Sequence, residues 1–166
     1  MPSDAELEHL VSAANAARWP QAAAERPRPP GVVDAERQLE TMFNVSHILA
    51  VYGSLAPGQS NHHVVAPLGG EWSGGFVEGD LFQVGWGAAI GHRAFSPRAG
   101  GQKVAVKVLT SSLLPQAWPS LDHFEGDEYR RILIPVFAED ADGGRRLATV
   151  ANLYAAAEST VENAER

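Results

Sequence analysis

Two short stretches carry side chains and backbone suited to chemistry. The first is Tyr52-Gly53-Ser54-Leu55, which follows the continuous apolar run Ile48-Leu49-Ala50-Val51 and reads as a buried strand entering a tight turn. Consecutive N–H groups from Gly53, Ser54 and Leu55 can converge in such a turn and hold a carboxylate without a basic side chain. On spacing alone, an ordinary strand-ending turn is the simpler explanation. The second is Glu125, which lies between Phe124 and Gly126 at the end of an apolar helical stretch. A carboxyl group sheltered by such neighbours ionises less readily, and so can act as base and then acid near neutrality. Taken alone, a glutamate near a helix end is more simply a solvated surface residue.

Other candidates are weaker. Ser54 sits where a nucleophile could, but G-x-S-x-G is absent and no base is near it in sequence. Gly85-Trp86-Gly87-Ala88-Ala89-Ile90-Gly91 is one residue too long for a dinucleotide-binding turn and reads as a glycine-rich bend. His123-Phe124-Glu125 has the H-x-E form of zinc deaminases, yet a chain with no cysteine cannot supply the rest of that site. His62 and His63 would point oppositely on a strand and have no third ligand at metal-site spacing, so no metal site is expected. Asn44-Val45-Ser46 has the form of a glycosylation signal but reads as the turn ending a helix.

The whole chain must position these groups. It has 166 residues, 45% of them apolar, which suits one domain with a sizeable core. A formal net charge of −7 argues against a nucleic-acid partner. No apolar run approaches the ~20 residues needed to span a bilayer, and the early residues Asp4, Glu6 and Glu8 are unlike a secretion signal. A cytoplasmic protein without a membrane partner is the expectation.

Residues 3–17 read as a helix with a Ser3/Glu6 capping box, and 34–43 as a second. Between them Arg26-Pro27-Arg28-Pro29-Pro30-Gly31 reads as a non-helical spacer, an SH3-type ligand being the rarer alternative. Phe76, Leu81, Phe82 and Val84 suggest short, bent strand pieces. Strands are expected over 103–109, over 130–137 with Pro135 at an edge or bulge, and over 147–155 after an Asp142-Gly143 turn. Leu114, Trp118, Leu121 and Phe124 have helical spacing; because Pro119 interrupts it, the helix is expected to start at that proline and end before Gly126. The fold class is α+β: a small, mostly antiparallel mixed barrel or curled sheet with one or two packed helices and a helical N-terminal extension. The expected divisions are 1–46 for the extension, 47–156 for the main domain and 157–166 for a tail.

Together, Tyr52-Gly53-Ser54-Leu55 with Pro57-Gly58, then Leu121-Asp122-His123-Phe124-Glu125-Gly126, then Tyr129-Arg130-Arg131 resemble the γ-glutamylcyclotransferase-like family from about His47 to Ala156. The resemblance implies a compact mixed barrel with a cavity at one end. It also implies release of 5-oxoproline from a γ-glutamyl small molecule, without a cofactor, by attack of the substrate's α-amine on its own γ-carbonyl. Glu125 would be the acid/base, and Tyr52, Gly53, Ser54, Leu55 and Tyr129 would bind substrate; Arg131 matches the arginine of the Y-x-R motif, in a role as easily structural. Two rivals stand beside this: a non-catalytic binding relative, and a hydrolase using Ser54. The leaving group is not legible. The N-terminal helices would pack on the barrel or on a second subunit of a homodimer, the alternative being that this alanine- and proline-rich segment is partly disordered.

Overall fold

A computed structural model of the chain describes residues 1–16, 18, 30–83 and 93–157, the side chains of 30–33 excepted. Helices α1 (Asp4–Ala16) and α2 (Pro30–Phe43) come first. They are followed by β1 (Ile48–Val51), β2 (Glu71–Gln83), β3 (Arg93–Pro97), β4 (Gln102–Thr110), α3 (Leu114–Glu125), β5 (Tyr129–Glu139) and β6 (Arg145–Ala156). The strand order is β3-β2-β4-β1-β6-β5, and β2 pairs again with β5 at Phe76↔Phe137, which closes five strands into a barrel. β3 lies outside the closure, on β2. Among the described residues only β1–β6 is parallel. The α+β class and the mixed, mostly antiparallel barrel anticipated from sequence are thus present.

Strand alternation sorts the side chains into two sets. Ile48 and Ala50, Val104, Val106 and Val108, Ile132, Ile134 and Val136, and Ala151 and Leu153 point inward and fill the barrel. On β1, β5 and β6 the outer face carries apolar residues where helices cover it, whereas β4 turns Lys103 and Lys107 outward, exposed. Leu49 and Val51 pack under Leu114, Trp118 and Leu121 of α3. Leu133 and Val150 pack under Leu7, Val11 and Ala14 of α1 and Ala35 and Leu39 of α2. This double coverage explains why β1 reads as an unbroken apolar run.

The N-terminal helices therefore dock on the barrel. The capping box forms, with Glu6 N–H donating to Ser3 Oγ at 3.2 Å and Ser3 N–H to Glu6 Oε2 at 2.7 Å. Asn15 exchanges two 2.8 Å hydrogen bonds with the backbone of Leu133, pairing with the strand as another strand would. Arg18 continues the seam, donating to Glu36 at 3.1 Å and to Asn152 Oδ1 at 2.8 Å.

Several expectations are corrected. α2 begins at Pro30, inside the segment expected to be non-helical, because a proline in the first turn lacks only an N–H that would have no intrahelical acceptor. α3 begins at Leu114, not at Pro119, which lies within it. Burying Leu114, Trp118 and Leu121 on one face outweighs the single hydrogen bond that Pro119 removes. The short pieces expected around Phe76 and Leu81 are one 13-residue strand, which leaves β4 at Gly79 to pair with β3. At the closure Gly75 admits the neighbouring strand: a Cβ there would stand 2.8 Å from Val136 Cγ1 and 3.0 Å from Phe137 O. The bulge expected near Pro135 appears as a register shift between Val136 and Phe137, and β6 begins at Arg145, two residues before Leu147.

The proline-rich spacer at 26–29, the glycine-rich bend at 85–91, Val84 and the tail beyond 157 lie outside the described residues. Among the described residues no helix is long and apolar enough to cross a membrane.

Candidate active site

Because β1 and β6 are parallel and β5 is antiparallel to β6, the end of β1, the end of β6 and the start of β5 meet at one end of the barrel. The end of α3 and the start of β3 reach the same place. Between them lies a cavity of about 370 Å3, lined among others by Tyr52, Gly53, Ser54, Leu55, Arg93, Glu125, Tyr129 and Tyr154. All six residues singled out from sequence as catalytic or substrate-binding border this one space.

The turn after β1 is held from behind. Asn61 donates its side-chain amide to Ser54 Oγ at 2.9 Å and its backbone N–H to Ser54 O at 2.8 Å. His62 Nδ1 contacts Leu55 O at 3.0 Å, and its ring packs on Trp72. The His62-His63 pair thus lies in a short 3-10 turn, with His62 bracing the loop. Leu55 buries its side chain under α3, leaving its backbone to the cavity. The N–H groups of Gly53, Ser54 and Leu55 donate to no partner among the described residues, so an anion in the cavity has donors ready. Ser54 Oγ meets an amide, which cannot serve as a general base.

Glu125 is the last residue of α3. Gly126 follows with φ 72° and ψ −167°, a backbone conformation nearly confined to glycine, and its N–H closes the helix on Asp122 O at 3.1 Å. That abrupt turn leaves Glu125 at the cavity wall. Removal from water raises its pKa to about 7. The carboxylate is close enough to Tyr52, Tyr129 and Tyr154 that its charge pushes the pKa of each phenol further up, beyond the larger effect of burial.

The tyrosines have their protons committed. Tyr52 donates its hydroxyl to Tyr154 O at 2.7 Å and Tyr129 donates to Arg93 O at 3.2 Å. Each hydroxyl oxygen can therefore meet a further partner only as an acceptor, which suits an ammonium or amine better than a carboxylate.

Of the lining residues, Asn61, Arg93 and Tyr154 were not singled out from sequence. Tyr154 donates to Asp122 Oδ1 at 2.6 Å. Arg131 also grips Asp122, with Nε 2.9 Å from Oδ1 and a second nitrogen 3.3 Å from Oδ2, and lies 4.4 Å over the Trp118 ring. Asp122 is one turn before Glu125, so these bonds fix the last turn of α3 to β5 and β6. Arg131 also donates to Asn152 Oδ1 at 3.1 Å; Asn152 is buried and donates to Val45 O at 2.8 Å. Arg93 and Asn61 carried no motif; Asn61 falls in a glycine- and serine-rich turn that only the fold brings back to Ser54.

Comparison with known proteins agrees with this geometry. No curated protein matches the chain in sequence. In fold, an AIG2-like protein of Mus musculus superposes with a TM-score of 0.51 at 20% identity, over 69% of this chain and 82% of that one. The allophanate hydrolase of Kluyveromyces lactis superposes with a TM-score of 0.50 at 10% identity, over 68% of this chain but only 18% of the larger enzyme. The family model for "Gamma-glutamyl cyclotransferase, AIG2-like" matches residues 49–166, which take in the turn after β1, Glu125 and, but for Ile48, the strands β1 to β6. The chain belongs to the γ-glutamyl cyclotransferase, AIG2-like family.

Proposed function

We propose that the protein is a cyclotransferase acting on a γ-glutamyl small molecule and releasing 5-oxoproline. The observation that carries this is the carboxyl group of Glu125, held with a pKa of about 7 in the same cavity as three backbone N–H groups that donate to no partner among the described residues. The substrate's α-carboxylate sits against Gly53, Ser54 and Leu55, which folds the glutamyl chain so that its α-amine faces its own γ-carbonyl. The hydroxyls of Tyr52 and Tyr129 accept hydrogen bonds from that amine.

Glu125 removes a proton from the attacking amine. The N–C bond of the lactam forms, the bond from the γ-carbon to the departing nitrogen breaks, and the same carboxyl group delivers a proton to that nitrogen. A group with a pKa near ambient pH can do both, and the sum is one intramolecular acyl transfer that turns one molecule into 5-oxoproline and a free amine with no water consumed. No cofactor enters the scheme.

The test is to supply γ-glutamyl amino acids, γ-glutamyl amines and glutathione to the folded protein and follow 5-oxoproline. Release of the lactam supports the reading. Release of free glutamate, abolished by Ser54→Ala, would indicate hydrolysis at Ser54. Binding of 5-oxoproline in calorimetry with no product from any substrate would indicate a binding module.

A further inference from the structure

One charged side chain of the cavity wall has no task in that scheme. Arg93 opens β3, placed by its pairing with Gln83 and by the Tyr129 hydroxyl that donates to its carbonyl at 3.2 Å. Other arginines are committed: Arg131 to Asp122, Arg98 to Asp80, Arg145 to Glu78 and Asp4. The Arg93 guanidinium pairs with no carboxylate among the described residues. Arg93 is exposed and borders the cavity beside Tyr52 and Tyr129.

The other charged groups of the wall are Glu125 and Glu128, and the chain as a whole carries −7. Among the described residues it is the one cationic side chain of the cavity wall, and it attracts a negative group of a ligand. The glutamyl α-carboxylate is already served by the N–H groups of the turn. A second anionic group exists only if the departing amine carries it. We infer that Arg93 selects the leaving group, binding a carboxylate borne by the departing amine and so favouring anionic leaving groups over simple alkylamines. The inference rests on the cyclotransferase reading above.

A matched pair of substrates tests it: γ-glutamyl-alanine and γ-glutamyl-ethylamine differ only in the leaving-group carboxylate. 5-Oxoproline release gives kcat/KM for the wild type, Arg93→Met and Arg93→Lys. Expected is a wild-type preference for the alanine compound. Arg93→Met lowers kcat/KM for it by about 10- to 100-fold, the range for a charge-assisted hydrogen bond, and changes the ethylamine compound by no more than about twofold. Arg93→Lys recovers part of the loss. An equal loss on both substrates would assign Arg93 to the glutamyl half or to the fold, and no loss would leave it without a role; either overturns the inference while the cyclotransferase reading stands. No 5-oxoproline from any γ-glutamyl compound would remove that reading, and this inference with it.

Discussion

A glutamine at position 125 keeps the shape of Glu125 and removes its basicity. Under the proposed mechanism Glu125→Gln lowers kcat by about 10²–10⁴-fold with little change in KM, the range for removing a general acid–base. The wild-type kcat/KM should rise with pH through about 7, where Glu125 ionises, and Glu125→Gln should lose that inflection. Stability gives an independent check. With its pKa raised from 4.5 to about 7 on folding, the folded state holds a proton that the unfolded state has released, so the wild type loses stability as pH rises from about 4.5 to about 7. Glu125→Gln has no such loss and should melt higher than the wild type at pH 8, the gap closing towards pH 4.5. Gly126 is the complementary case. Any other residue at its φ of 72° is strained, and Gly126→Ala should cost about 1–3 kcal/mol in denaturant unfolding.

At the scale of elements, the last turn of α3 is aimed by Asp122. Its carboxylate takes hydrogen bonds from Tyr154 and Arg131 on two different strands. Asp122→Asn keeps the size but cannot accept both arginine nitrogens on equal terms, so α3 loses its fork. The expected outcome is kcat reduced by about 10-fold or more, because small displacements of a reacting group are costly. The inflection near pH 7 should persist at a lower plateau, since Glu125 itself is intact. The position of α3 also shows why its start was misread. Pro119 is a valid break signal locally, but the signal competes with an apolar face that only the outer surface of β1 and β6 makes decisive. β3 was missed for the opposite reason: Ala94 and Phe95 are its only strongly apolar residues, and an edge strand with one neighbour needs no more.

For the whole molecule, the barrel and its N-terminal helices share one buried seam. Leu39 is fully buried against that seam, and Leu39→Ala should destabilise the protein by about 2–5 kcal/mol in chemical denaturation. Limited proteolysis should spare α1 and α2; rapid trimming of the chain to near residue 44 would show that the seam opens readily. Asn152, bridging Arg18 on one side and Arg131 on the other, ties this seam to the helix that carries Glu125.

The amino-acid sequence by itself determined the local pieces. Alternating valines and isoleucines, a capping box and an apolar run before Tyr52-Gly53 each encode an element through interactions within a few residues. The order of the short motifs then pointed to the family. What only the tertiary structure decided is which distant groups share a space. The cavity brings together residues 52–55, 93, 125, 129 and 154, because the parallel β1–β6 and antiparallel β5–β6 pairings put the ends of β1 and β6 and the start of β5 on one side. Glu125 likewise became a sheltered carboxyl only there: desolvation comes from neighbours far along the chain, and no spacing in the sequence measures it.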